Sequence, residues 1–143
     1  MSNTAHIRIL LIEDNPGDVR LLREFLKDAT RLRSETTQVE RLAAAAALLS
    51  TERFDVVLLD LSLPDAAGLQ ALQHLHSLAP ALPIVVLTGL DDEETALRAV
   101  QEGAQDFLVK GRVDTPILTR SIRYAIERKR VEEMERQLVK AHA

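Results

Sequence analysis

A doubly wound parallel α/β fold is predicted from three features of this sequence. Short apolar runs alternate with segments of helical length, the runs are rich in β-branched residues, and each run is closed by polar residues. Continuous rather than alternating apolar character marks parallel strands covered on both faces. Strand and helix alternate five times, which is the order of βαβ units with right-handed crossovers.

The elements follow in chain order. Residues 7–12 read Ile-Arg-Ile-Leu-Leu-Ile, an apolar run broken only by Arg8. Asn15-Pro16 then marks a helix start, with an Asn cap and Pro at the first helical position. Leu21, Leu22, Phe25 and Leu26 recur at helical spacing behind it. Residues 36–39 form the most polar strand, suited to a sheet edge, and residues 41–51 form an Ala-rich helix. Residues 54–59, 84–87 and 107–109 are the third, fourth and fifth strands. Between them, Leu69, Leu72, Leu75 and Leu78 mark a helix over 66–78, and four acids open another over 91–102. Gly103 stands where a helix C-terminal glycine is expected, and the last helix starts after Asp114-Thr115-Pro116.

Composition narrows the class. The chain has 143 residues, 46% hydrophobic, with 5 Gly, 5 Pro and no Cys, which excludes disordered, collagenous and disulfide-stapled classes and any thiolate metal site. Residues 1–6 lack a basic segment followed by an apolar one, and no apolar run reaches the roughly 18 residues of a membrane span. The expectation is a soluble cytoplasmic domain that binds no membrane. A net charge of −4 argues against direct nucleic-acid binding through the whole surface. The charge is unevenly spread: residues 1–119 carry 11 basic and 18 acidic side chains, residues 120–143 carry 7 and 4.

Ligands of doubly wound sheets bind beyond the carboxyl ends of the strands. The first strand ends in Glu13-Asp14, the third in Asp60, the fourth in Thr88 and the fifth in Lys110. Three carboxylates within about 5 Å repel by roughly 3 kcal/mol per pair at an effective dielectric near 20, so a cation or a proton must relieve them. Hard oxygen donors in a site open to phosphate favour Mg²⁺. With a lysine and a hydroxyl beside them, they make a phosphoryl-transfer site without a glycine loop.

The stretches Leu10-Leu11-Ile12-Glu13-Asp14-Asn15, Asp60-Leu61-Ser62-Leu63-Pro64-Asp65-Ala66-Ala67-Gly68, Val85-Val86-Leu87-Thr88-Gly89 and Gly103-Ala104-Gln105-Asp106-Phe107-Leu108-Val109-Lys110 resemble the response regulator receiver domain of two-component signalling. The resemblance implies a five-stranded flavodoxin-like sheet in the order 2-1-3-4-5, with residues 6–130 as the domain and 131–143 as an extension of the last helix. It implies that Asp60 accepts a phosphoryl group from the phosphohistidine of a sensor histidine kinase or phosphotransfer protein. Asp14, Asp60 and the backbone carbonyl of Ser62 would hold Mg²⁺, with Glu13 acting through metal-bound water. Thr88 and Lys110 would contact the phosphoryl group, Gly89 would leave it approachable, and Thr88 and Phe107 would form the switch. The surface of the fourth helix, fifth strand and fifth helix would then bind a downstream protein target or a second copy. Ser62 and Leu90 would tune the lifetime. Where the family usually has proline after its lysine, Gly111 stands here, implying a freer loop; the switch aromatic is Phe rather than Tyr, and Leu63 replaces the commoner Met.

Other readings are weaker. A haloacid-dehalogenase-like phosphatase wants an acid two residues after its nucleophile, where Ser62 stands. An FMN binder wants stacking aromatics, and this chain has one Tyr, three Phe and no Trp. A phosphorylation-independent receiver-like module, and a receiver fragment of a larger regulator or hybrid kinase, are the alternatives. His74 and His76 read as surface, Asp91 to Glu94 as helix-opening acids, and Arg128-Lys129-Arg130 as a solvated helix face. Val131, Met134, Leu138 and Ala141 recur at intervals of 3, 4 and 3, a heptad-like stripe on the last helix. It reads as a frayed tail, a parallel dimer stalk or the opening of a signalling helix.

Overall fold

Five parallel strands form one sheet: β1 (Ile7–Ile12), β2 (Ser34–Val39), β3 (Val56–Asp60), β4 (Ile84–Thr88) and β5 (Asp106–Val109), in the order β2-β1-β3-β4-β5. The computed structural model describes residues 6–141. Positions 1–5 of the segment read for a leader, and 142–143 of the predicted extension, lie outside the described residues. Five helices complete the fold: α1 (Pro16–Lys27), α2 (Leu42–Leu49), α3 (Leu69–Leu78), α4 (Glu93–Gln101) and α5 (Thr115–Ala141).

Side chains alternate across each strand, and the sheet splits its apolar residues accordingly. Leu10, Ile12, Val57, Leu59 and Val86 pack with Leu72, Leu75 and Ala99 on the α2–α3–α4 side. Ile9, Leu11, Val56, Leu58, Val85 and Leu87 pack with Leu22, Leu26, Leu118 and Ile122 on the α1–α5 side. Burial on both faces explains why the inner strands read as unbroken apolar runs. β2, the polar edge strand, pairs with β1 alone.

Boundaries differ from the sequence reading where local signals compete with long-range ones. The predicted helix over 66–78 begins only at Leu69, because Ala66–Ala67 pairs antiparallel with Ser62–Leu63. Gly68 closes this hairpin at φ 60, a left-handed conformation that favours glycine, and its N–H donates to the Leu61 carbonyl at 2.8 Å. β2 is longer than predicted, since pairing with β1 runs from Ser34 to Val39. The Asn15 side chain accepts from the Asp18 N–H with Pro16 at the helix start, as the Asn-Pro signal predicts.

The basic triplet on α5 is not a uniformly solvated face. Lys129 is buried, while Arg128 pairs with Glu132 and Arg130 with Glu127. Helix positions four apart share a face, so Lys129 follows Leu118, Ile122 and Ala125 down the packed side. Among the described residues no helix is long and apolar enough to cross a membrane.

Leu118 and Ile122 are fully buried and hold α5 against the sheet. Ile122→Ala should cost about 2–5 kcal/mol in urea unfolding, through lost burial plus the cavity left behind. A loss under about 1 kcal/mol would show that α5 is not anchored there.

Candidate functional site

Parallel register brings the polar strand ends to one rim. Ile12 pairs with Leu59, so Glu13 and Asp60, each one residue further on, are level. Asp60 pairs with Leu87, Thr88 pairs with Val109, and Lys110 is the next residue. The Lys110 N–H donates to the Thr88 carbonyl at 2.8 Å, which ties the last two strand ends together.

Lys110 is the hub. Its Nζ lies 2.8 Å from Glu13 Oε1, 3.1 Å from Asp18 Oδ2 and 3.3 Å from Asp60 Oδ1. Burial alone would lower the Lys110 pKa, yet the ion pairs with Glu13, Asp60 and Asp18 outweigh it and the pKa is raised. Glu13 is fully buried, and its carboxyl is pushed up to about 7, first by burial and then by Asp60, against the opposing pull of Lys110 and the Asn15 N–H. Glu13 Oε2 accepts from that N–H at 3.1 Å. Oε1 is buried and close to Lys110 but has no directed hydrogen bond. Asp60 is 3% exposed, and its Oδ1 accepts from the Ser62 N–H at 3.1 Å.

Glu13, Asp14 and Asp60 each present a carboxylate oxygen, all within 4.8 Å of one another. Two of these residues are buried and Asp14 opens the cluster to solvent. Oxygen-only donors and an excess of negative charge fit a hard divalent cation.

The rim thus brings together Glu13, Asp14, Asp60 and Lys110. Thr88 is buried and donates its hydroxyl to the Gly89 carbonyl at 3.2 Å, so it joins Lys110 through backbone alone. A methyl group built on Gly89 would meet nothing within 4 Å, leaving open space beside Thr88. Phe107 is half-buried against the α2–α3–α4 core, and Ser62 and Leu90 are exposed. Gly111 adopts φ 92, which proline, locked near −65°, cannot reach.

Two site residues escape the sequence reading. Asp18 resembles an ordinary first-turn acid, yet α1 starts directly behind β1, so its first turn faces the rim and Lys110. Asp65 accepts from the Leu42 and Ala43 N–H groups at 2.9 and 3.1 Å, capping α2 from the loop after Asp60. These backbone bonds hold its carboxyl below the usual range. No signal local to α2 announces that cap, since Arg41 precedes the helix.

Comparison with known proteins places this rim in a context. Residues 9–123 match the response regulator receiver domain family. The chain is 34% identical over 103 residues to the response regulator protein PilR of Pseudomonas aeruginosa, covering 72% of this chain and 22% of that protein. The chain therefore spans about a fifth of that relative's length. Among solved structures, a response regulator receiver domain protein from Clostridium thermocellum superposes with a TM-score of 0.75 at 25% identity, covering 87% of this chain and 98% of that one. The phosphorylated cyanobacterial phytochrome response regulator RcpA gives 0.68 at 28% identity, covering 82% and 90%.

The raised Glu13 pKa has a sign that can be tested in metal-free protein. Between about 4.5 and 7 the folded state binds this proton more tightly than the unfolded state, so stability falls as pH rises through that window. Glu13→Gln should flatten the fall, which is on the order of 1–3 kcal/mol, in urea titrations at stepped pH with chelator present. An unchanged slope in the variant would assign the fall to other groups.

Proposed function

The chain belongs to the response regulator receiver domain family, and we propose that within it Asp60 is the phospho-accepting residue of a two-component phosphorelay. The observation that supports this most is the setting of Asp60: nearly buried at the end of β3, 3.3 Å from the Lys110 ammonium and level with Glu13. An acceptor so placed is reached from the open side of the rim, beside Asp14 and Gly89.

The donor in this reading is the phosphohistidine of a sensor kinase or phosphotransfer protein. An Asp60 carboxylate oxygen forms a bond to phosphorus as the P–N bond to imidazole breaks; the imidazole nitrogen keeps the electron pair and takes a proton. Glu13, Asp14, Asp60 and the Ser62 carbonyl would hold Mg²⁺, which would offset negative charge on the transferring phosphoryl group. Lys110 already lies against Asp60 and needs only to shift its ammonium toward the arriving oxygens. No external substrate is turned over, because transfer modifies the chain's own side chain.

The switch follows from added charge. A phosphoryl group brings roughly −1.5 to −2 charges to a rim already rich in acids. Thr88 would release the Gly89 carbonyl and donate to the phosphoryl group, and Phe107 would move into the space left. Both changes bear on α4, β5 and α5, so this face is the proposed reader surface for a downstream protein target or a linked output module. Exposed Ser62 and Leu90 flank the entrance and would set how readily water reaches the acyl phosphate. We place the protein in the cytoplasm on this reading.

Incubation with Mg²⁺ and a small phosphodonor tests the assignment. Wild-type chain should take up one acid-stable, base-labile phosphoryl group. Asp60→Asn should take up none, and Lys110→Ala should be slower by on the order of 10²-fold, the usual loss for one charge-stabilising donor. Labelling that survives in Asp60→Asn would overturn the role of Asp60.

A further inference from the structure

Lys110 leaves β5 with little but acids to hold its side chain. Its N–H is tied to the Thr88 carbonyl at 2.8 Å. The next residue, Gly111, sits at φ 92, and a methyl group built there would meet nothing within 4 Å. A cavity of about 30 Å³ lies alongside, lined in part by Asp18, Phe25, Lys110, Gly111 and Val113. The flexible four-carbon stem of the lysine therefore has room to move, and its charge partners are what limit it.

Those partners are not equivalent. An ammonium carries three N–H groups, and Glu13 Oε1, Asp18 Oδ2 and Asp60 Oδ1 lie 2.8, 3.1 and 3.3 Å from it. Glu13 and Asp60 belong to the carboxylate cluster that also contains Asp14, and Asp18 does not. In the reading of Asp60 as acceptor, Glu13 and Asp60 share their oxygens with a cation. Asp60 also gives up its carboxylate charge when the acyl phosphate forms. Both therefore loosen their hold on Lys110 as the site is loaded. Asp18 is the one of the three whose carboxylate stays unchanged throughout.

Asp18 is firmly seated. It stands in the first turn of α1, and its N–H donates to Asn15 Oδ1 at 3.0 Å. Leu22, four residues on, is packed in the core. A first-turn acid suits the helix dipole. That accounts for an acid at this position but not for its contact with a lysine at the end of β5.

We propose that Asp18 is a positioning residue for phosphoryl transfer: it fixes the Lys110 ammonium on the α1 side of the rim, leaving the other N–H groups to turn from Asp60 to the arriving phosphoryl oxygens. Without it the ammonium closes on Glu13 and Asp60, covers the accepting oxygen and competes with the cation. The role of Asp18 rests on the assignment of Asp60 as the acceptor.

A double-mutant cycle tests this, read as the rate at which the 143-residue chain is labelled by a small phosphodonor with Mg²⁺. Asp18→Asn should label about tenfold more slowly than wild type. In the Lys110→Ala background the same substitution should change the rate by less than about twofold, because the group it positions is gone. Metal-free protein gives a second readout that a weakened helix would not mimic. The Lys110 ammonium resonance in ¹⁵N NMR, assigned by its loss in Lys110→Ala, should shift or vanish in Asp18→Asn. Circular dichroism checks that each variant is folded. An unchanged labelling rate in Asp18→Asn, an equal loss in both backgrounds, or an unmoved Lys110 resonance would overturn the role of Asp18 and leave Asp60 as the acceptor. A wild-type chain that takes up no label would overturn the acceptor and this role with it.

Discussion

Lys110 is the only cation in direct contact with Glu13, Asp18 and Asp60 among the described residues, and that imbalance governs the carboxyl rim. One ammonium faces three carboxylates, with Asp14 a fourth acid at the edge. The uncompensated charge is expressed in Glu13, whose carboxyl is pushed up to about 7 by burial and by Asp60. A rim of this composition suits a cation or a proton, and in the proposed reading a bound cation is what lets it take a phosphoryl group.

The rest of the fold serves to hold these groups at one level. Parallel pairing fixes Glu13 beside Asp60 and Lys110 one step beyond Thr88, while apolar packing on both faces makes a slip of register costly. The loop after Asp60 is held at two points, by the hairpin that Gly68 closes and by Asp65, which caps α2. Asp60 and the residue that caps α2 are thus five positions apart in one braced loop. α5 has a separate duty: one side anchors the domain through Leu118 and Ile122, and the other side is free of it.

Much of this was legible in the chain. The inner strands show as unbroken apolar runs because both faces are covered, and Glu13, Asp14, Asp60, Thr88 and Lys110 show as the polar residues that close them. The Asn15-Pro16 helix start and the helix-ending Gly103, which adopts φ 122, follow from local chemistry. What escaped depends on distance or on very short elements. A two-residue hairpin at Ser62–Leu63 and Ala66–Ala67 has no periodicity of its own, so the leucine spacing alone places the start of α3 at 66 instead of Leu69. The Asp65 cap spans 23 residues, and the Asp18 contact exists only because α1 begins behind β1. Lys129 reads as solvated in a basic triplet, but the helical phase places it on the packed side.

In the proposed reading, the excess of carboxylate at this rim is a cation site built on Glu13, Asp14 and Asp60. Calorimetric titration with Mg²⁺ near pH 6.5, repeated in buffers of different ionisation enthalpy, tests it most directly. Binding should release a fraction of a proton, supplied by Glu13, and should tighten as pH rises. Glu13→Gln should remove the proton release, and Asp60→Asn or Asp14→Asn should weaken binding severely. Absence of binding at millimolar Mg²⁺, or binding unchanged in all three variants, would contradict it.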